Sequence, residues 1–312
     1  MKIYITGSTS LIATNIAKNL ISKGHDVTLI GRKKPKEFKK FKFLVIDWQN
    51  IENIFSNNIK IDLLIHCAGL NAKSCILDPK EAMRFNSQIT GKLSSLCALF
   101  GVKSFIYLSS VHVYGSEIEG IVTENNKLCS THPYAASKIE AEKLIESNLN
   151  ETNTNYLVLR LSNIVSTPIL METKCCHLLP ISLCLSIKKN NSLIINSNPN
   201  IKRDFVSMSE LNKFIEFYIL NIFNIKSGIF NFSSENVISI YDLALRIKEI
   251  NHTIYGESSD IVFKKSNSKF IIKKFKYANR KLTSLGYKIN KDIDKELTRL
   301  LRQTKKNNFS YN

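Results

Sequence analysis

Tyr134 and Lys138 stand four residues apart in the stretch Tyr134-Ala-Ala-Ser-Lys138. On a helix that spacing puts both side chains on one face, with the ammonium beside the phenol. A free phenol has a pKa of about 10, and a neighbouring cation favours the phenolate, so the pair is suited to exchange a proton near neutral pH. A carbinol or ketone oxygen needs such a partner while hydride moves to or from its carbon. Tyr and Lys are common on helix surfaces, and the spacing alone often arises by chance. Its context adds weight: an apolar run ends in Ser109-Ser110 just upstream, and the chain opens on a segment that reads as a nucleotide-binding turn.

A scaffold must bring these groups to one crevice. Residues 2–6 read as a short buried strand, and 11–23 carries Ile12, Ile16 and Leu20 on one helical stripe. Residues 26–30, 43–46, 62–68 and 104–110 read as further strands, with a helix over 79–100 before the last. Strands alternating with helices predict an α/β fold with a Rossmann-type, doubly wound parallel sheet. The binding crevice of such a sheet lies at the carboxyl ends of its strands. Thr6, Arg32, Asp47, Ala68 and Ser110 all fall at such ends.

The first turn reads Thr6-Gly7-Ser8-Thr9-Ser10-Leu11-Ile12-Ala13. Dinucleotide folds place glycines here for a tight turn, close approach to pyrophosphate, and packing of helix on strand. Only Gly7 is kept; Ala13 is tolerated at the packing position, and Ser10 puts a side chain where backbone would approach the phosphates. The helix start at Ser10, Leu11 and Ile12 still offers free N–H groups and a favourable dipole to an anion. The second strand ends in Gly31-Arg32-Lys33-Lys34, without the acid that would bind the adenosine ribose. Arg accommodates a 2'-phosphate, which favours NADP over NAD, with a surface basic run as the plainer alternative. Asp47 is a candidate adenine contact, and Cys67-Ala68-Gly69 supplies small residues against which a flat cofactor could lie.

Composition sets the outer bounds. The 312 residues carry 44 Lys+Arg against 26 Asp+Glu, a net charge of +18, which invites a nucleic-acid reading. The excess is mostly Lys in a chain rich in Asn and Ile, a bias that genome composition can produce, so nucleic acid is not expected as a partner. Two basic clusters, 32–42 and 264–281, are candidates for attracting an anionic cofactor and substrate, or are simply solvated faces. The seven cysteines are scattered, with no C-x-x-C, so no metal site is expected and reduced thiols are the plain reading. The absence of a signal-peptide pattern or an apolar run of spanning length leads to the expectation of a cytoplasmic protein without membrane association.

With Ser109-Ser110-Val-His-Val-Tyr114-Gly115 and Pro133-Tyr134 to Lys138 in view, the chain resembles the extended short-chain dehydrogenase/reductase superfamily, and within it the NAD(P)-dependent sugar-nucleotide epimerases, dehydratases and 4-ketoreductases. The likeness takes in Thr6-Gly7, His66-Cys-Ala68, Asn86, Gly91, Arg160-Leu-Ser-Asn163, Arg203-Asp-Phe-Val206, Asn231 and Leu285-Gly286-Tyr287. It implies that Tyr134 is the acid/base and that Lys138 lowers its pKa and holds the nicotinamide ribose. It further implies that Ser110 binds the reacting oxygen, that Asn163 and Arg203 meet the substrate, and that the protein is a homodimer. Val111 stands where 4,6-dehydratases carry an acid, which disfavours elimination. His112 stands where some relatives carry a second acid/base.

Beyond Asn163 the alternation becomes irregular, as expected for a smaller C-terminal α/β substrate-binding part. The expected division is 1–165 for the nucleotide-binding domain, with 203–234 partly returning to it, and 166–312 for the substrate domain. Helices are expected over 180–189, 210–223 and 240–250 and strands over 192–196 and 228–233, with 264–281 and the tail after Arg302 on the surface. The function that follows is NADP-dependent 4-ketoreduction of a nucleotide-activated sugar. An NAD-dependent 4-epimerase is the alternative, and a non-catalytic binding protein with a degenerate dinucleotide site a further one.

Overall fold

The first strand, β1 (Lys2–Thr6), places Ile3 and Ile5 at 0% exposure, because it is flanked by strands on both edges and covered by helices on both faces. Strands buried on both sides read as near-continuous apolar runs, which is why this sheet is legible in the sequence. The protein, here a computed structural model, is described for residues 1–35, 41–55, 59–115, 118–264 and 274–306. The strands are β1, β2 (Asp26–Gly31), β3 (Lys42–Val45), β4 (Leu63–His66), β5 (Ser104–Ser110), β6 (Gly120–Val122), β7 (Asn155–Leu161), β8 (Asn163–Val165), β9 (Ser192–Ile195), β10 (Lys202–Ser207), β11 (Gly228–Phe232), β12 (Val237–Ser239), β13 (Asp260–Phe263) and β14 (Phe275–Tyr277).

Seven of them form one parallel sheet in the order β11-β7-β5-β4-β1-β2-β3. The order reverses between β1 and β4, and that switch point opens a crevice beyond the strands' carboxyl ends. Helices α1 (Leu11–Ser22), α2 (Ala72–Leu77), α3 (Pro79–Ala82), α4 (Ile89–Leu99) and α5 (Pro133–Leu149) belong to this part. The single helix expected over 79–100 is divided: α3 runs through a π turn at Met83–Gln88 into α4. The wider turn carries Asn86, whose carboxamide is wholly taken up inside the protein.

The later helices are α6 (Leu179–Asn190), α7 (Met208–Leu220), α8 (Ile240–Tyr255), α9 (Arg280–Ser284) and α10 (Asp294–Lys306). α7 lays Leu211, Phe214 and Tyr218 into the same core as α1 and the seven-stranded sheet. A separate core gathers α6, α8 and α10 around Leu183, Leu243, Ile247 and Leu300. The expectation that residues 264–281 lie on the surface is corrected at β14, and the helix that leads into the tail after Arg302 is buried along one side. Tyr277 and Ala278 are buried, β14 pairs with β6, and α10 buries Leu297, Leu300 and Leu301. Basic neighbours masked this apolar stripe in the sequence. Residues 36–40 and 265–273 of the two basic clusters lie outside the described residues. Among the described residues no helix is long and apolar enough to cross a membrane.

One packing contact stands in for a missing glycine. A Cβ added to Gly31 would lie 2.1 Å from Ser8 Oγ and 3.0 Å from Ser8 Cβ, so the side chain in the first turn occupies space that the end of β2 leaves free. Gly31→Ala should cost about 1–3 kcal/mol by overpacking. Ser8→Gly in the same chain should recover most of it. A urea-denaturation double-mutant cycle measures the coupling; strictly additive costs would remove the claim.

Candidate active site

The crevice floor is backbone against backbone. Gly7 has φ +87°, and a Cβ there would sit 3.0 Å from the Ala68 nitrogen and 3.1 Å from the Cys67 carbonyl carbon. No side chain fits that gap. Ser10 is the N-cap of α1, its Oγ accepting from Ala13 N at 3.5 Å, so its oxygen is turned to the helix it starts. The amides of Leu11 and Ile12, in the first turn, have no acceptor within the helix and remain available to an anion. Arg32 is exposed beyond β2. Asp47 is exposed too, and its carboxylate accepts from Gln49 N at 3.1 Å and Asn50 Nδ2 at 3.3 Å.

His66, 1% exposed at the end of β4, sets the direction of a hydrogen-bond chain behind this floor. Thr6 Oγ1 accepts from Cys67 N (3.1 Å) and Ala68 N (3.2 Å), so its own proton goes to His66 Nδ1 at 2.7 Å. His66 Nε2–H then donates to Thr90 Oγ1 (3.0 Å), which donates to the Asn86 carbonyl (2.8 Å). Burial, and secondarily the Lys138 charge, push His66 down to about 3, so the imidazole stays neutral and the direction holds. Asn86 Oδ1 accepts from Leu70 N (2.7 Å) while its Nδ2 donates to Ser137 Oγ (3.1 Å), which donates to the Tyr134 carbonyl (2.9 Å). The first turn of the chain is thus tied to the first turn of α5.

Tyr134, Lys138 and Ser110 meet on the opposite wall. α5 starts with Pro133 after His132, whose Nδ1 accepts from Tyr134 N at 3.1 Å. Lys138 is 6% exposed; its Nζ donates to the Leu108 carbonyl (3.0 Å) and lies 4.7 Å from the Tyr107 ring centre and 5.8 Å from that of Tyr134. A Cβ on Gly69 would come within 3.6 Å of that Nζ and 3.3 Å of Asn86 Oδ1, so a glycine keeps the crevice open beside the ammonium. These residues fit a flat, anionic coenzyme lying across β1, β4 and β5.

The expectation that Lys138 makes Tyr134 more acidic is corrected. Burial raises the Tyr134 phenol to about 12, opposed by the nearby Ser110 hydroxyl. Lys138 is itself lowered by burial to about 8, opposed by Glu142. Spacing puts two groups on one face; it does not reveal how much water each keeps. His112 meets Tyr134 edge to face at 6.2 Å between ring centres, and its backbone N–H donates to Ser110 Oγ at 3.2 Å. The sheltered cleft, then Arg203 and His132, hold His112 below the ordinary imidazole value.

Arg203 is half-buried, its pKa lowered by burial, and among the described residues it has no acidic partner. Its neighbour Asp204 is wholly buried, accepting from Ser234 N (2.9 Å), Ser234 Oγ (3.0 Å) and Asn236 N (3.1 Å), which fixes β10 in place. Asn163 Nδ2 donates to the Asp204 carbonyl (2.9 Å), so that end of its side chain serves the strand rather than the crevice. Sequence reasoning missed Glu142, which is buried one turn beyond Lys138 and grips Ser109 and Arg160. The signal was present as the spacing 134, 138, 142 on one helix face.

The family model described as NAD dependent epimerase/dehydratase family matches residues 3–232. ADP-L-glycero-D-manno-heptose-6-epimerase of Brachyspira hyodysenteriae is 27% identical over 263 residues, which are 80% of this chain and 80% of that protein. UDP-glucose 4-epimerase of Bacillus subtilis is 26% identical over 160 residues, 46% of this chain and 47% of that one. In fold, the chain is similar to a UDP-glucose 4-epimerase of Thermotoga maritima solved with UDP-glucose, with a TM-score of 0.83 at 19% identity over 98% of this chain and 99% of that one.

The depressed pKa of Lys138 has a stability consequence. Between about 8 and the ordinary 10.5 the native chain holds fewer protons than the unfolded one. The burial cost is therefore carried in full below pH 8 and is relieved as pH rises through that window. Lys138→Met should stabilise the protein by roughly 2 kcal/mol at pH 7, after loss of the Leu108 hydrogen bond. That gain should fade toward pH 10.5 in urea melts taken across the range. A gain independent of pH would contradict the assignment.

Proposed function

The chain belongs to the NAD-dependent epimerase/dehydratase family, and on that premise we propose that it transfers hydride between a nicotinamide coenzyme and a carbinol carbon of a nucleotide-activated sugar, with 4-ketoreduction as the net reaction. The observation that carries this reading is that Ser110, at the end of β5, and Tyr134, at the start of α5, come together in one crevice, with the Lys138 Nζ 5.8 Å from the Tyr134 ring centre. A phenol held at about 12 keeps its proton at neutral pH, the form needed to protonate a ketone oxygen as it gains charge. The nicotinamide supplies the hydride when bound. Ser110 steadies the same oxygen, and such fixed donors act by meeting charge as it develops. Lys138, still mostly charged at pH 7, adds a positive field and donors suited to the ribose of the coenzyme.

Arg203 supports the choice of substrate. A sheltered guanidinium without an acidic partner among the described residues suits the paired oxygens of a diphosphate, which it engages bidentately. Gly31 and Arg32 support NADP: no carboxylate stands at 31–35, directly at the end of β2, to claim the adenosine ribose hydroxyls, and a guanidinium is available to a 2'-phosphate. His112, against the Tyr134 ring, is the candidate for a second acid/base.

A second reading is 4-epimerisation, in which the coenzyme is reduced and reoxidised within one turnover; the names of several relatives favour it. Tightly retained NAD in the purified protein, with no net consumption of NADPH, would exclude the reductase. Whichever direction holds, Tyr134→Phe should lower turnover by about 10²–10⁴. The rise in melting temperature on adding coenzyme should survive in that variant. NADPH should raise the melting temperature of the native chain more than NADH, and Arg32→Asp should reverse the order. A chain whose melting temperature answers to neither coenzyme would instead be a non-catalytic binding protein.

A further inference from the structure

The Tyr134 backbone is held at both of its polar groups. Its carbonyl accepts from Ser137 Oγ at 2.9 Å, and its N–H donates to His132 Nδ1 at 3.1 Å. His132 is the N-cap of α5, with extended backbone at φ −97° and ψ 130°, and Pro133 follows at the first helical position. Caps are most often Ser, Thr, Asp or Asn, whose oxygens accept throughout the neutral range. An imidazole can do the same work in one form alone. Because Nδ1 accepts here, the ring proton sits on Nε2; an imidazolium has N–H on both nitrogens and nothing left to accept with. The loop that presents this ring is seated on the turn that fixes Ser110. Cys129 N donates to the Val113 carbonyl at 2.7 Å, and a Cβ on Gly115 would lie 2.9 Å from Cys129 Cβ.

A charge on His132 works against this arrangement in two ways. It turns an acceptor into a donor facing the Tyr134 N–H, and it sets a cation at the positive end of a 17-residue helix whose first turn contains no acid. The titratable and charged groups nearby come from four places. They are Tyr134 on α5, His112 on the turn after β5, Arg203 on β10, whose charge reaches His112, and Cys129 in the loop before α5, its sulfur 3.3 Å from Thr131 Oγ1. None of the four is a carboxylate that would draw a proton onto His132. We propose that His132 is a positioning residue for Tyr134: its neutral imidazole fixes the backbone from which the phenol reaches the reacting oxygen, and its protonation releases that backbone. The inference rests on the hydride-transfer reading for its effect on turnover, whereas the contact itself can be followed without a substrate.

The test follows the Tyr134 amide by NMR. The full chain is isotope-labelled at tyrosine nitrogen, the Tyr134 resonance is assigned by its loss in Tyr134→Phe, and its shift is recorded from about pH 8 down to 5, the range in which histidines change charge. In the native chain the resonance should move as the hydrogen bond to His132 is lost. In His132→Asn, where a carboxamide oxygen caps the helix without titrating, it should stay in place. The movement should persist in His112→Asn, which separates the two imidazoles. With NADPH and a nucleotide sugar that is turned over, His132→Ala should lower kcat by about tenfold to a hundredfold, while the rise in melting temperature on adding NADPH is kept. His132→Asn should restore kcat and flatten the acid limb of its pH profile. A Tyr134 amide that ignores pH, that titrates equally in His132→Asn, or that stops titrating in His112→Asn overturns the proposal, as does native kcat in His132→Ala. A resonance that titrates through His132 in a protein turning over no nucleotide sugar upholds the hold on Tyr134 and counts instead against the hydride-transfer reading.

Discussion

The constraint on which the site depends is a lysine ammonium kept out of water. An isolated ammonium in a low-dielectric interior sheds its proton unless something holds it, because desolvation penalises the charged form. Lys138 is held by the Leu108 carbonyl, the Tyr107 face and, one turn on, Glu142. The result is a balance, with its pKa left at about 8, close enough to neutrality for the charge to survive but not by a wide margin. Around it the crevice is built from groups that hold their charge state across the working range: His66 neutral, Tyr134 protonated, Cys67 a thiol. Lys138 is thereby the cation on this wall of the crevice, and it localises there the field an anionic coenzyme or a developing alkoxide would meet.

The same buried chemistry joins parts of the chain that are far apart in sequence. Glu142 on α5 grips Arg160 on β7; Arg160 reaches Tyr114, just after β5; Tyr114 reaches Asn231 on β11. Asn231 Nδ2 donates to the Ala278 carbonyl at 3.1 Å, and Ser233 Oγ to the Tyr277 carbonyl at 2.7 Å. The turn that follows Ser110 is therefore braced by the far end of the chain through β14. Buried networks of this kind are stabilising only when every member is satisfied, and breaking one partner of a buried ion pair costs about 3–5 kcal/mol. The geometry of Ser110 is thus underwritten by residues over a hundred positions away.

How much of this was legible follows from what each signal encodes. The seven-stranded sheet could be read because burial on both faces leaves apolar runs at β1, β2, β4 and β5, bounded by helical stripes. The Tyr134–Lys138 face could be read because helical spacing is local. The direction of the Tyr134 shift could not, since it is set by desolvation, which depends on groups distant in sequence, Cys75 on α2 and Ser110 on β5 among them, closing around the phenol. Glu142 was hidden for a related reason: an acid on a helix is ordinary until Arg160 and Ser109 are known to lie opposite it. β14 was hidden because Phe275 and Tyr277 alternate with lysines in a segment whose charge dominated the reading.

The glycine-poor first turn looked like the weakest part of the site, and the structure gives a physical account of why it is not thereby closed. Of the three glycine roles, only the tight turn at Gly7 demands the absence of a Cβ, since φ is positive and a Cβ there would lie 3.0 Å from the Ala68 nitrogen. At the second position Ser10 takes up N-cap geometry, with extended backbone at φ −71° and ψ 140° that any residue adopts. Its oxygen caps α1 in place of water, and the N–H groups of Leu11 and Ile12 stay unengaged by the helix. At the third, Ala13 is wholly buried against the sheet, a methyl group accommodated where the pattern allows one. The remaining glycine of this corner serves packing: Ser8 fills the space that a Cβ on Gly31 would take, so the turn seats directly on the end of β2.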